Sequence, residues 1–271
     1  MNKLEQTKLN RMLETAITAA RLAGKMAMEE IDFAKVSIKN GNEIVTQTDA
    51  KCQGIIIEQI KAAYPDHGFV AEEGIGGKLF KQSPRGDENI WWAIDPIDGT
   101  NNFANGMLLF TVSIAAMYQG EPVVGVIFEP ATDSMYTAVK DGEAQLNDRR
   151  ITTGKAEMDM FTSIGLDSHF EKGVPPWACN IMARTKFRNL GTTALHFAYV
   201  AKGGFAATIA SKQKLWDIAA GSLIVQSAGA TATDWKGNSL FPVDIDNYQG
   251  GEFFAIAGNK KVHSELLQMI G

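Results

Sequence analysis

Cysteine is scarce in this chain: two in 271 residues, Cys52 and Cys179. Their separation fits neither a zinc-ligand spacing nor a redox pair, which excludes a disulfide scaffold and a thiolate metal site. Two lone cysteines suit a reducing cytosol and act as small core residues. Blocks of basic residues are also missing. No run of Lys or Arg exceeds a pair, and the net charge is −5, which argues against nucleic acid as a main partner. Long apolar runs are absent too. The longest, residues 107–118, is broken by Thr and Ser and is too short to span a bilayer. The polar start, Met1-Asn2-Lys3-Leu4-Glu5-Gln6, has no apolar core of a secretory signal. The expectation is a cytoplasmic protein without a membrane segment, internal repeat or low-complexity tract.

What is present is an ordinary globular composition, 45% hydrophobic, in a chain long enough for one large domain or two lobes. Leu9, Met12, Leu13, Ile17, Ala20 and Ala23 recur at helical spacing and predict an amphipathic helix over 4–31. A turn at Lys39–Asn42 precedes a strand from Glu43 that ends at Asp49. A second helix carries Ile55, Ile56, Gln59 and Ile60 and stops before Pro65; a short strand at 69–71 then delivers Glu72. Residues 74–89 are rich in Gly and polar groups and read as a mobile loop.

Strands follow at 90–94, 110–118, 123–129, 134–139 and 143–146, with connections short enough to demand antiparallel pairing. Beyond residue 148 the pattern changes: a strand end at 163–165, helices at 177–184, 192–202 and 217–228, and strands at 187–189 and 205–209. This predicts mixed α and β lobes, 1–147 and 148–271.

The most informative segment is Asp95-Pro96-Ile97-Asp98-Gly99-Thr100-Asn101-Asn102-Phe103, after the apolar run Ile90-Trp91-Trp92-Ala93-Ile94. Two carboxylates sit at a strand end, stiffened by a proline with fixed φ. Hard cations such as Mg²⁺ bind carboxylate oxygens, and phosphate binds backbone N–H groups at a helix start. The same spacing is also that of an acidic turn, since Asp-Gly turns are common. The histidines His67, His169, His196 and His263 are scattered and have no triad partners, which disfavours a Ser-His-Asp hydrolase.

This segment resembles the signature of the inositol monophosphatase family of Mg²⁺-dependent, lithium-sensitive phosphatases. Thr46-Gln47-Thr48-Asp49, Ala71-Glu72-Glu73-Gly74, Gly191-Thr192-Thr193-Ala194 and Leu215-Trp216-Asp217-Ile218-Ala219-Ala220-Gly221 are similar to further family segments, in the family's order. The resemblance implies a five-layer α-β-α-β-α sandwich, an α/β fold, with the site between its halves. It implies two or three Mg²⁺ ions: one on Glu72, Asp95 and the Ile97 carbonyl, a second on Asp95, Asp98 and Asp217, a third near Glu72. It implies catalytic roles for Asp49, Glu72 and Thr100, and substrate contacts from Gly99, Thr100, Gly191, Thr192, Thr193 and Asp217. The implied activity is phosphomonoester hydrolysis of a small polyol or sugar-type phosphate by metal-activated water, in a cytoplasmic homodimer. Alternatives on the same fold are histidinol-phosphate, fructose-1,6-bisphosphate or nucleotide 3′-phosphate phosphatases, or a non-catalytic regulatory protein.

The sequence departs from the family pattern at three places. Ala210 stands seven residues before Asp217, where inositol phosphatases carry a Glu that grips substrate hydroxyls. Asn101 replaces a Thr, and Thr193 replaces an Ala. An Ala210→Glu change is therefore expected to favour inositol 1-phosphate.

Overall fold

A computed structural model describes residues 4–39, 43–85, 87–155, 157–167, 170 and 172–270. Residues 40–42 of the turn expected at 39–42, and His169, lie outside them. Helix α1 (Gln6–Glu30) buries Leu9, Met12, Ala16, Ala19, Ala20, Ala23 and Ala27 along one stripe, so its small residues bring the helix close to what it covers. A hairpin of β1 (Val36–Lys39) and β2 (Glu43–Thr46) leads into α2 (Gln47–Ala63). Asp49, expected at a strand end, instead sits in the first turn of α2, where it forms a capping box with Thr46.

The next strands are β3 (Gly68–Ala71), β4 (Phe80–Gln82) and β5 (Ile90–Asp98), followed by the short helix α3 (Thr100–Ala104). Then come β6 (Thr111–Tyr118), β7 (Glu121–Glu129), β8 (Ser134–Val139), β9 (Gln145–Leu146) and β10 (Arg149–Arg150). These form an eight-stranded sheet in the order β10-β9-β8-β7-β6-β5-β3-β4. The meander from β5 to β10 is antiparallel, as its short connections require, while β3 runs parallel to β5. Strand β4 was not legible in the sequence: it occupies part of the expected 74–89 loop, pairing Phe80 with Ala71 and Gln82 with Phe69.

The sheet is apolar on both faces, which explains the unbroken hydrophobic run of β5. Ile90, Trp92 and Ile94 pack under α1 and α2; Trp91 and Ala93 point the other way. β5 also runs further than expected, to Asp98, with a register break between Asp95 and Asp98 where Pro96 cannot donate to the ladder.

A second sheet combines β11 (Ser163–Leu166), β12 (Lys186–Arg188), β13 (Ala207–Gln213), β14 (Thr231–Asp234) and β15 (Phe253–Gly258), in the order β12-β11-β13-β15-β14. Its helices are α4 (Pro176–Arg184), α5 (Thr193–Ala201), α6 (Leu215–Ser227) and α7 (Lys260–Ile270). Helices α5 and α6 are apolar all round and fill the space between the sheets, with Phe197, Leu223 and Ile224 meeting Trp91 and Met117 on one side and Ala255 and Ala257 on the other. Ile181 of α4 and Val262 and Leu266 of α7 cover the outer face of the small sheet with Ile164, Ile209 and Ile256. The result is the five-layer α-β-α-β-α sandwich. No helix among the described residues is long and apolar enough to cross a membrane.

Candidate active site

The register break in β5 sets Asp95 and Asp98 beside the start of α6. Both aspartates are buried. Gly99 follows at φ 99°, ψ 35°, and a Cβ there would come within 3.1 Å of the Leu109 carbonyl and 3.2 Å of the Gly191 carbonyl. Glycine is thus required by both conformation and close approach. The turn ends in Thr100, whose Oγ1 lies 3.0 Å from Asp49 Oδ1 and 3.0 Å from the Ile97 carbonyl. Asp49 also accepts from the Thr46 N–H at 2.9 Å and the Thr46 hydroxyl at 2.5 Å. Burial raises the Asp49 pKa, yet all these partners donate, which favours the ionised form.

Four carboxylates share one electrostatic neighbourhood. Burial pushes Asp95 well above the usual carboxylate range, reinforced by Glu72, Asp98 and Asp217. Asp217, which caps α6 by accepting from the Lys214 N–H at 2.6 Å, is likewise held well above it by burial and by Asp98 and Glu72. Asp95 and Asp217 lie next to each other, and Asp217 helps to hold the Asp95 carboxyl toward the protonated form. Burial lifts Asp98 to about 6, opposed by hydrogen bonds from the Thr192 hydroxyl (2.6 Å) and the N–H groups of Ala194 (2.6 Å) and Thr193 (3.3 Å). Burial raises Glu72, opposed by Lys39, whose ammonium is 2.7 Å from both Glu72 and Glu73.

Such a cluster of like charges takes up protons or cations, and its all-oxygen donor set fits a hard divalent ion such as Mg²⁺. Among the described residues, no three His, Cys, Asp or Glu side chains converge on one metal-holding point. Both oxygens of Asp98 accept hydrogen bonds from the start of α5. Water and ligand oxygens would complete a coordination shell here, as Mg²⁺ prefers.

Gly191 and Thr192 lie on the opposite wall. Thr192 N-caps α5, accepting from Leu195 N–H at 3.3 Å while donating to Asp98. The Asn102 side chain ties the walls together by donating to the Leu109 and Leu190 carbonyls, both at 2.7 Å. Between the walls is a cavity of about 340 Å³ that includes Asp98, Thr192, Thr193, His196 and residues 211–213. His196 is buried beside this cavity: its Nε2 accepts from the Leu190 N–H at 2.9 Å, and burial lowers its pKa to about 4.

Asp167, which sequence reasoning missed, also faces this cavity. It accepts from the Ser211 N–H (2.6 Å) and hydroxyl (3.0 Å), and burial raises its pKa. Its one sequence signal was its place just beyond the strand read at 163–165. Ala210 does not line the cavity: it is 1% exposed and packs in the core shared with α5 and α6. The expected effect of Ala210→Glu is therefore withdrawn, since a Glu there would bury a charge. The polar wall is made instead by Ser211, Lys212 and Gln213, with Thr193 Oγ1 donating to Gln213 Oε1 at 2.7 Å.

Comparison with known proteins gives the family of the chain. The family model described as Inositol monophosphatase family matches residues 8–269. An inositol-1-monophosphatase of Mesorhizobium japonicum is 34% identical over 270 residues, covering 97% of this chain and 95% of that protein. A Nus factor SuhB of Pasteurella multocida is 35% identical over 244 residues, covering 86% and 88%. Among solved structures, the extragenic suppressor protein suhB of Bartonella henselae superposes with a TM-score of 0.82 at 30% identity, covering 95% of this chain and 97% of that one. An IMPase of Thermotoga maritima gives 0.82 at 30% identity, covering 96% of each. The chain belongs to the inositol monophosphatase family.

Proposed function

We propose that this protein is a Mg²⁺-dependent phosphomonoesterase that hydrolyses a small polyol or sugar-type phosphate by direct attack of water. The observation that carries this reading is the Thr100 hydroxyl, set between Asp49 and the Ile97 carbonyl beside the cluster of Glu72, Asp95, Asp98 and Asp217. Metal dependence is general in the family. Divalent cations, when bound, acidify water and offset charge on the leaving oxygen. Glu72, Asp95, Asp98, Asp217 and the Ile97 carbonyl are the proposed ligands.

The residues then divide the work. With its own proton directed to Asp49, Thr100 Oγ1 is left to accept from a further hydroxyl, which orients an attacking water. Glu72 assists as a proton acceptor. The N–H groups of Gly99 and Thr100 face the phosphoryl oxygens, where developing charge is stabilised by fixed donors. Gly191, Thr192 and Thr193 form the substrate-side wall, with Asp217 at the leaving-group side. Asp167, Ser211 and Gln213 offer acceptors and donors to the hydroxyls of a polyol. No covalent phosphoenzyme is required. The cytoplasmic location, the homodimer and lobes at 1–147 and 148–271 are part of the same proposal. The large sheet's last strand ends at Arg150 and the small sheet's first begins at Ser163, so the passage from one sheet to the other lies at 151–162, a few residues beyond 148.

A second reading, a regulatory protein on the same fold, is favoured by the name Nus factor SuhB carried by several relatives. A screen of phosphate release from inositol 1-phosphate, histidinol phosphate, fructose 1,6-bisphosphate and adenosine 3′,5′-bisphosphate separates the two. Turnover of a polyol or sugar phosphate supports the enzyme; no turnover of any with Mg²⁺ present supports the regulatory reading.

A further inference from the structure

A second and larger cavity, about 680 Å³, lies beyond Glu72. Its wall carries four lysines, Lys39, Lys78, Lys81 and Lys214, together with Glu72 and Trp216. In a chain of net charge −5 this is a local reversal of sign. The four ammonium groups are not equivalent. Lys39 is spent on two carboxylates, Glu72 and Glu73. Lys81 is held by neutral groups: its Nζ donates to the carbonyls of Asp246 (2.8 Å) and Tyr248 (3.0 Å) and lies 5.6 Å from the Trp91 ring centre. Lys214 Nζ donates to the Gly250 carbonyl at 3.0 Å and forms a longer, partly exposed ion pair with Glu252 at 3.6 Å.

Carbonyl oxygens fix a cation's position without cancelling its charge. An ammonium has three donors, so Lys81 keeps one for a further acceptor. Lys81, prepositioned in this way, and Lys214, held by a carbonyl and only loosely paired at the exposed rim, create on one cavity a field that concentrates anions.

We propose that this cavity is a second anion site, taking a phosphate group on Lys81 and Lys214. The binding claim stands on the lysine geometry alone. If the phosphatase reading above also holds, the site extends the substrate class to compounds bearing a second phosphate, or makes free phosphate a ligand of the enzyme.

The test is calorimetric titration of the full chain, stripped of divalent cations, with inorganic phosphate. Saturable binding is expected, weakened by salt and at least tenfold weaker in the Lys81→Gln/Lys214→Gln double variant. Lys81→Arg should restore most of the affinity. Each single Gln variant should lose at least threefold, which keeps the test decisive if the double variant fails to fold. Absence of saturable binding, or equal affinity in the Gln variants, overturns the proposal.

With Mg²⁺ present, the source of the phosphate is read from KM. A rise for fructose 1,6-bisphosphate that exceeds the rise for fructose 1-phosphate identifies a substrate's second phosphate. Equal KM effects with lost phosphate inhibition identify free phosphate. Both outcomes uphold the site, and the metal-free titration is unaffected if no substrate is turned over.

Discussion

The Thr192 hydroxyl donates to Asp98 Oδ2 at 2.6 Å, joining residues 94 positions apart in the chain. Thr192 opens α5 of the middle layer, and Asp98 ends the long strand of the large sheet. The same carboxylate accepts from the N–H groups of Thr193 and Ala194. The acidic cluster and the facing wall of the cavity are therefore positioned by one residue.

Asp98→Asn should lower kcat at least about a hundredfold, several kcal/mol of transition-state stabilisation, because one proposed cation ligand is lost. The fold should persist with a modest loss of stability: the change relieves one like charge, but the Asn side chain keeps only one acceptor oxygen for the start of α5. Steady-state kinetics with a thermal melt check both; near-normal turnover would show that the chemistry lies elsewhere.

Thr100→Ala should reduce kcat by about ten- to a hundredfold with little change in KM, because the hydroxyl acts on water rather than on substrate binding. Thr100→Ser should recover most of the rate. If Ala and Ser variants are equally slow, the hydroxyl is not the operative group.

Gly191→Ala should destabilise the protein by about 2–3 kcal/mol, from a left-handed alanine and a steric clash together. Gly191 has φ 70°, and an added Cβ would sit 2.6 Å from the Asn102 side chain, which is anchored by two hydrogen bonds and cannot move aside cheaply. Urea unfolding measures the cost. A loss under about 0.5 kcal/mol would mean that this turn is not the rigid wall described.

His196 should make stability fall with acid. Its folded pKa is lowered by burial to about 4 from an ordinary 6.5, so the unfolded chain takes the proton first. The stabilisation is complete above about 6.5 and is lost as the pH falls toward 4, up to about 3 kcal/mol. Asp98 works in the opposite sense: burial lifts it to about 6, so the folded state takes its proton first and gains as the pH falls. The histidine is isolated by comparing wild type with His196→Gln. The stability gap between them should shrink from about pH 7.5 to about pH 5 in urea unfolding. A constant gap would show that His196 does not titrate as described.

Much of this architecture was legible because its signals are local. The amphipathic stripe of α1 and the turn-punctuated strands from β5 to β8 follow from periodicity over a few residues. Glu72, Asp95, Asp98 and Asp217 were readable because each sits at a marked place in a short segment. What escaped depends on partners distant in sequence. β4 exists because Phe80–Gln82 finds the free edge of β3. Asp167 becomes part of the cavity through Ser211, 44 residues away. Ala210 faces the core between the sheets by the alternation of β13, which turns Ile209 to the outer face, and a register break against β15 follows only beyond it; neither pairing is visible from spacing alone. The lysines of the second cavity come from three separate segments and have no sequence signature at all.

The most direct test of the central claim is phosphate release from inositol 1-phosphate and fructose 1,6-bisphosphate, measured in wild type and Asp98→Asn with added Mg²⁺ and again in EDTA. The account predicts turnover of at least one substrate by wild type with Mg²⁺, none in EDTA, recovery on restoring Mg²⁺, and little activity in the variant under any condition. Full activity of metal-stripped wild type in EDTA, or undiminished turnover by Asp98→Asn, would contradict it.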